Sequence, residues 1–227
     1  MTALCACLFD LDGVIVDTAK YHFIAWRAIA RDLGFEFTER DNERLKGVSR
    51  QRSLDILLEV GGLALGSAEK VALAEKKNAL YLSYVRQMTP AEILPGAEDF
   101  LKSCRAAGFK TGLATASRNA AVIIDLLQIA PLFDVVVDGN KVSRTKPDPE
   151  VFLNCARELA LAPQTCAVFE DAEAGIAAAL SAGMLAVGIG DAVILAAADL
   201  VVPGLAELSL ARLRAAWDNK KNPGVES

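Results

Sequence analysis

Histidine is almost missing from this chain of 227 residues: His22 is the only one. A histidine-phosphate intermediate built on a histidine pair is therefore excluded, and so is a zinc site with several imidazoles. Cysteine is scarce too. Cys5, Cys7, Cys104, Cys155 and Cys166 are odd in number and show no framework spacing, which excludes a disulfide scaffold. Cys5 and Cys7 fall on an apolar run and read as small core side chains. Positive charge is not in excess: 24 Lys and Arg stand against 29 Asp and Glu, so no basic field attracts nucleic acid. No apolar stretch reaches the ~20 residues of a membrane span. No basic region precedes the short N-terminal apolar run, so no signal peptide is expected. These absences point to a cytoplasmic protein without nucleic-acid or membrane partners. A monomer is expected, because no apolar helix stripe is left over beyond those a core and an insert need.

What is present suits an enzyme. At 53% hydrophobic, the chain can bury a large core in one domain plus an insert. Leu4 to Phe9 reads as a buried strand, followed by Asp10-Leu11-Asp12-Gly13. In extended backbone, side chains two apart point the same way, so Asp10 and Asp12 are expected to converge above the strand's carboxyl end. Open α/β sheets bind their ligands there. Such a pair suits a hard cation, a carboxylate nucleophile or a proton shuttle, but aspartates at strand ends also cap turns and helices.

From Thr18 to about Met88 the apolar spacing is helical. Asp17 or Thr18 can cap a helix carrying Phe23, Trp26, Ile29 and Leu33, with Gly34 placed to stop it. Leu54, Leu57 and Leu58 form a second stripe ended by Gly61-Gly62, and a third helix is expected over 68–86. After Pro95-Gly96 the rhythm becomes alternating helix and strand. Strands are expected over 110–115, 135–137, 166–169 and 185–188, and near 199–201. Helices are expected between them, one capped by Asp148 with Pro149 in its first turn. The tail 219–227 reads as polar and frayed. The expected fold is α/β: a Rossmann-like, doubly wound parallel-sheet core (1–16 and 93–227) with an inserted all-helical cap domain (17–92) over the sheet's ligand edge.

Three further strand exits carry polar groups on that edge. Thr115-Ala116-Ser117 offers hydroxyls and free backbone N–H groups to an anion, or an ordinary helix cap. Lys146 stands before Pro147, and Glu170-Asp171 ends the fourth strand of the alternation. Together they supply a carboxylate, a second acid, a hydroxyl, a lysine and an acid pair able to complete an oxygen-ligand magnesium site. That combination matches phosphoryl transfer.

The order Asp10-x-Asp12-Gly13, Thr115, Lys146-Pro147, Glu170-Asp171 resembles the four motifs of the haloacid dehalogenase superfamily of phosphotransferases. The insert, with Thr18, His22, Trp26, Lys46-Gly47-Val48-Ser49-Arg50, Ser53 and Lys77, resembles the helical cap of the superfamily's bacterial sugar mutases. The resemblance implies that Asp10 forms an aspartyl-phosphate and that Asp12 is the general acid/base for a sugar hydroxyl. It implies Mg²⁺ held by Asp10, the Asp12 carbonyl, Glu170 and Asp171. Thr115, Ala116 and Lys146 would hold the transferring phosphoryl group, and Arg50, Ser117 and Asn119 the distal phosphate. Lys46, Gly47, Val48, Ser49 and Ser53 would line the sugar site beside Trp26, while Thr18, His22 and Lys77 would couple closure to the placing of Asp12. Arg118 departs from the lysine common at its position; charge is kept, but a planar guanidinium replaces an ammonium.

The activity so implied is interconversion of β-glucose 1-phosphate and glucose 6-phosphate through a glucose bisphosphate. A sugar-phosphate phosphatase with the same core is the alternative, and a non-catalytic sugar-phosphate binder is a third reading.

Overall fold

The computed structural model describes residues 3–45 and 48–221. Six parallel strands form one sheet: β1 (Ala6–Phe9), β2 (Lys110–Ala114), β3 (Val135–Val137), β4 (Cys166–Glu170), β5 (Leu185–Ile189) and β6 (Leu200–Val202). Their order is β3-β2-β1-β4-β5-β6. The chain thus builds outward from β1 on one side, then returns to its other side at β4. Such a reversal opens a crevice at the carboxyl end of the central strand.

The strands form where apolar residues run almost unbroken, as burial on both faces requires. On one face Ala6 and Leu8 of β1 share a core cluster with Val151, Phe152 and Cys155 of α7 (Glu150–Glu158) and Ile176 of α8 (Glu173–Ser181). On the other, Phe9 stacks on Phe169 of β4 at 4.5 Å. Phe100 of α5 (Ala97–Ala106) meets both rings edge-on, at 6.3 and 5.5 Å. Adjacent residues of β1 therefore face opposite helical layers, and the strand carrying Asp10 at its tip is locked from both sides.

The chain divides into two compact units, Met1–Asp17 with Pro90–Ser227, and Thr18–Thr89. The second unit is helical: α1 (Ala19–Asp32), α2 (Glu39–Glu43), α3 (Arg50–Gly61) and α4 (Ser67–Val85). Trp26, Ile29 and Ala30 of α1 bury against Leu54, Leu57 and Leu58 of α3 and Ala74 of α4. Gly62 ends α3 in the left-handed conformation.

Several expectations need correction. Thr18 occupies the N-cap of α1 but makes no side-chain capping bond there. Pro149 is itself the N-cap of α7, while Asp148 Oδ1 accepts from Glu150 N at 3.0 Å. Cys5 is partly exposed, unlike Cys7, because β1 starts only at Ala6. Asn219–Lys221 are not frayed but complete a last helix, α9 (Leu210–Lys221), whose Leu213 and Trp217 are buried; an earlier helix, α6, spans Ala120–Leu126. Residues 222–227 lie outside the described residues.

Candidate active site

Everything at the site starts from where β1 stops. Phe9 is its last residue, and Asp10 keeps one more sheet bond, its N–H donating to Phe169 O at 3.0 Å. The backbone then turns. The Asp12 N–H donates to Asp10 Oδ2 at 2.9 Å, and Ile15 and Val16 both donate to Leu11 O. Asp10 and Asp12 are thus related by a tight turn and not by the pleat of an extended strand, because β1 ends at Phe9 and its last sheet bond is made by the Asp10 N–H. Gly13 makes the turn feasible: its φ is +78°, and a Cβ there would lie 2.0 Å from Asp171 Oδ2.

The other Asp10 oxygen, Oδ1, accepts from Lys146 Nζ at 2.5 Å. The same ammonium donates to Glu170 Oε1, and Glu170 Oε2 accepts from Ala172 N at 3.1 Å. All three side chains are buried, Lys146 at 4% exposure and Glu170 at 1%. Burial alone would lower the lysine pKa, but the Asp10 and Glu170 carboxylates overcome it and hold Lys146 above its usual range, fully charged. Glu170 fits so close to α8 because a Cβ on Gly175 would strike its carboxylate at 2.0 Å. Burial, followed by the charges of Asp10, Glu170 and Asp12, pushes Asp171 up to about 8. One ammonium among these acids leaves local negative charge in excess.

Thr115, buried at the exit of β2, accepts from Ser117 N on its hydroxyl at 3.1 Å, and its own N–H is taken by Val137 O. Ser117 Oγ accepts from Asn119 N at 3.3 Å, just before α6. Residues 115–119 thus form a loop of side-chain-braced turns. The exit of β3 shores it up: Gly139 N donates to Ser117 O at 3.1 Å and Asn140 Nδ2 to Arg118 O at 3.0 Å. Gly139 and Asn140 escaped sequence reading; a turn pair after a strand was the available signal.

Within the helical unit, Lys77 Nζ lies 2.6 Å from His22 Nδ1. An ammonium only donates, so Nδ1 accepts and the imidazole proton sits on Nε2. The His22 ring stacks on Tyr81 at 4.2 Å, and Lys77 Nζ stands 4.8 Å from the Trp26 and Tyr81 rings. Burial, then the charges of Lys77 and Arg50, hold His22 well below its usual pKa, so it is neutral. Trp26 is 2% exposed in the unit's core cluster, where its apolar stripe directs it. Ser49 is the N-cap of α3, its hydroxyl accepting from Arg52 N at 3.3 Å. Arg50 begins that helix, Ser53 is buried on it, and Val48 is 37% exposed. Lys46 and Gly47 lie outside the described residues.

A buried lysine between two carboxylates, a turn-held aspartate pair and a braced hydroxyl loop converge on one sheet edge. Residues 5–183 match the haloacid dehalogenase-like hydrolase family. The chain belongs to the haloacid dehalogenase-like hydrolases. Among its relatives in that family, β-phosphoglucomutase of Bacillus subtilis (strain 168) is 44% identical over 215 residues, 94% of this chain and 95% of the relative. A phosphorylated carbohydrates phosphatase of Thermotoga maritima is 34% identical over 186 residues, covering 79% of this chain and 82% of its own. The crystal structure of β-phosphoglucomutase from Clostridium difficile superposes with a TM-score of 0.91 at 41% identity, over 95% of this chain and 98% of that one. The haloacid dehalogenase-like fold here thus comprises the parallel sheet with its helical insert.

The donors at the sheet edge are all oxygens, which suits a hard divalent cation. Among the described residues no three His, Cys, Asp or Glu side chains stand in preassembled metal geometry, because Lys146 lies between Asp10 and Glu170. The fit to a cation rests on this all-oxygen donor set and on the carboxylates crowded there, Asp171 being pushed up first by burial and then by the anions of Asp10, Glu170 and Asp12.

Proposed function

We propose that this enzyme is a β-phosphoglucomutase, interconverting β-glucose 1-phosphate and glucose 6-phosphate through an aspartyl-phosphate and a glucose bisphosphate. The observation that carries the chemistry is the fixing of Asp10: Lys146 and the Asp12 N–H grip one oxygen each. A carboxylate so held cannot rotate, and attack on phosphorus needs an oxygen lone pair kept in line. Asp10 is the nucleophile. Asp12, one turn on, takes the proton from the sugar hydroxyl that attacks the phospho-aspartate and returns it in the reverse step.

Lys146 neutralises charge on the phosphoryl oxygens, and the Thr115 hydroxyl and the Ala116 N–H complete their cradle. Asp10, the Asp12 carbonyl, Glu170 and Asp171 would hold Mg²⁺, which offsets repulsion between the anionic nucleophile and the phosphate. Arg50 of the helical unit, with Ser117, Arg118 and Asn119 of the α/β unit, is assigned to the second phosphate. The guanidinium fork suits a phosphate in two contacts. Lys46, Gly47, Val48, Ser49 and Ser53 are assigned to the sugar. Thr18, His22 and Lys77 are assigned to holding the helical unit in its working conformation. The 44% identity to the Bacillus mutase supports this reading. On the same reading the protein is a cytoplasmic monomer acting on hexose phosphates.

The relative from Thermotoga maritima, a phosphatase by name, favours a second reading in which water resolves the aspartyl-phosphate. Incubation with β-glucose 1-phosphate and Mg²⁺, with glucose 6-phosphate and free phosphate measured side by side, separates the two. Glucose 6-phosphate as the main product supports the mutase; free phosphate as the main product makes the enzyme a phosphatase.

A further inference from the structure

Lys146 sits on a long connection, between the end of β3 at Val137 and the start of α7 at Glu150. Nothing in a loop of that length fixes where an ammonium points, yet Lys146 Nζ meets Asp10 Oδ1 at 2.5 Å. The carboxylate of Glu150 supplies the restraint. Its Oε1 accepts from Ser143 N at 2.9 Å and Ser143 Oγ at 3.1 Å. Its Oε2 accepts from Ser143 Oγ and Arg144 N, both at 2.9 Å, and from Arg144 Nε at 3.4 Å. On the far side of Lys146, Asp148 bonds back: its Oδ2 meets Arg144 Nη1 at 3.1 Å, and its N–H donates to Thr145 O at 3.1 Å. The segment 143–150 is therefore closed into a ring by one side chain, with Lys146 on the ring.

We infer that Glu150 is a positioning residue, acting through the 143–150 ring to aim Lys146 at Asp10. The inference rests on the phosphoryl-transfer reading of the site, though not on the mutase assignment. A carboxylate is required at 150 because only it offers acceptors on both oxygens to donors arriving from two backbone N–H groups and a hydroxyl. The amide of glutamine offers one such oxygen and turns an NH₂ against the remaining donors. Donors around this carboxylate also hold Glu150 at about 2, so the ring stays closed throughout the pH range of the reaction.

The test compares wild type, Glu150→Ala, Glu150→Gln, Lys146→Ala and the Glu150→Ala/Lys146→Ala double variant. Three readouts are taken: acetylation of Lys146 by acetic anhydride followed by peptide mass spectrometry, phosphorylation of Asp10 by acetyl phosphate, and formation of glucose 6-phosphate. Glu150→Ala is expected to raise labelling at Lys146 about 10-fold through local opening of the ring. It should lower kcat about 10–100-fold with little change in KM, the signature of a misplaced group. Glu150→Gln should fall between it and wild type. In the Lys146→Ala background, removing Glu150 should cost less than about 2-fold more, because both changes act on one interaction.

Wild-type labelling of Lys146 in Glu150→Ala overturns the proposal, and so does an equal loss of rate with and without Lys146. Labelling needs no activity, so it decides even if Lys146→Ala does not fold. A wild type that phosphorylates Asp10 but makes no glucose 6-phosphate refutes the mutase assignment and leaves the role of Glu150 intact.

Discussion

Lys146 and Asp10 are 136 residues apart in sequence and 2.5 Å apart at the sheet edge. The contact joins the turn after β1 to the connection after β3, and Glu170 of β4 shares the same ammonium. The one ammonium offsets part of the charge of both carboxylates. Replacing Lys146 by Ala strands two buried carboxylates, which is expected to destabilise the protein by about 3–5 kcal/mol. Urea denaturation of the variant, with the m-value checked for constancy, measures it. Lys146 has its pKa raised by folding, so its stabilisation is present in full below its unfolded pKa and is lost only as pH rises through the higher folded one. The lysine's own titration should therefore contribute no slope to that deficit between pH 6 and 9.

Asp10→Asn removes the nucleophilic oxygen while leaving an acceptor for Lys146. Turnover should fall by about 10⁴-fold or more, as for other enzymes stripped of a nucleophile. The variant should incorporate no label from radioactive acetyl phosphate. Residual phosphorylation at wild-type level would remove Asp10 from the mechanism.

Gly13 is where the turn touches Asp171. Alanine there meets a left-handed φ of +78° and a carboxylate oxygen 2.0 Å from its Cβ. A cost of about 1–3 kcal/mol follows from the strain alone. Because the clash falls on a proposed Mg²⁺ ligand, activity should fall further than stability. Circular dichroism melting alongside a Mg²⁺ titration of rate distinguishes the two losses.

His22 titrates below its usual value in the fold, for burial and for the nearby Lys77 and Arg50 charges. The unfolded chain then binds the His22 proton more readily than the native one does. Native stability is expected to drop as pH falls from 6.5 toward the lowered folded pKa, and to be unaffected by this group above 6.5. His22→Phe should flatten that slope. Denaturant midpoints at pH 5, 6 and 7.5 for both proteins test it.

Adding Mg²⁺ at 100 times its Kd should stabilise the native enzyme by about 2.7 kcal/mol if it binds only the folded state. Asp171→Asn should abolish most of that gain. A thermal midpoint indifferent to Mg²⁺ in the wild type would remove the cation from the proposed site.

Much of this architecture was legible in the chain because buried parallel strands and amphipathic helices leave strong apolar periods. β3 at 135–137 and the helical unit are cases in point. α2 and α9 left weak periods: α2 has no buried residue, and α9 buries only Leu213 and Trp217 between charged neighbours. At the site, residue types were readable but their geometry was not. Asp10 and Asp12 meet through a turn that no pleat argument foresees. Trp26 packs in the helical unit's core cluster, and an apolar stripe does not say which of its members face a ligand. The hold of Glu150 on Ser143 and Arg144 was invisible, since an acid at the start of a helix also reads as a complement to its dipole.

One small feature of the α/β unit bears on how such an enzyme changes over time. Val16 and Ile93 form an antiparallel bridge, and Leu94 N donates to Ile15 O at 2.9 Å. The outgoing and returning strands of chain are thereby stitched together at the doorway to the insert. To the sheet, everything between is a loop whose ends are already shut, and the entropic penalty for lengthening such a loop grows only as the logarithm of its size. The insert is then free to be enlarged, trimmed or exchanged, so new sugars can be tried without retuning the strand that carries Asp10.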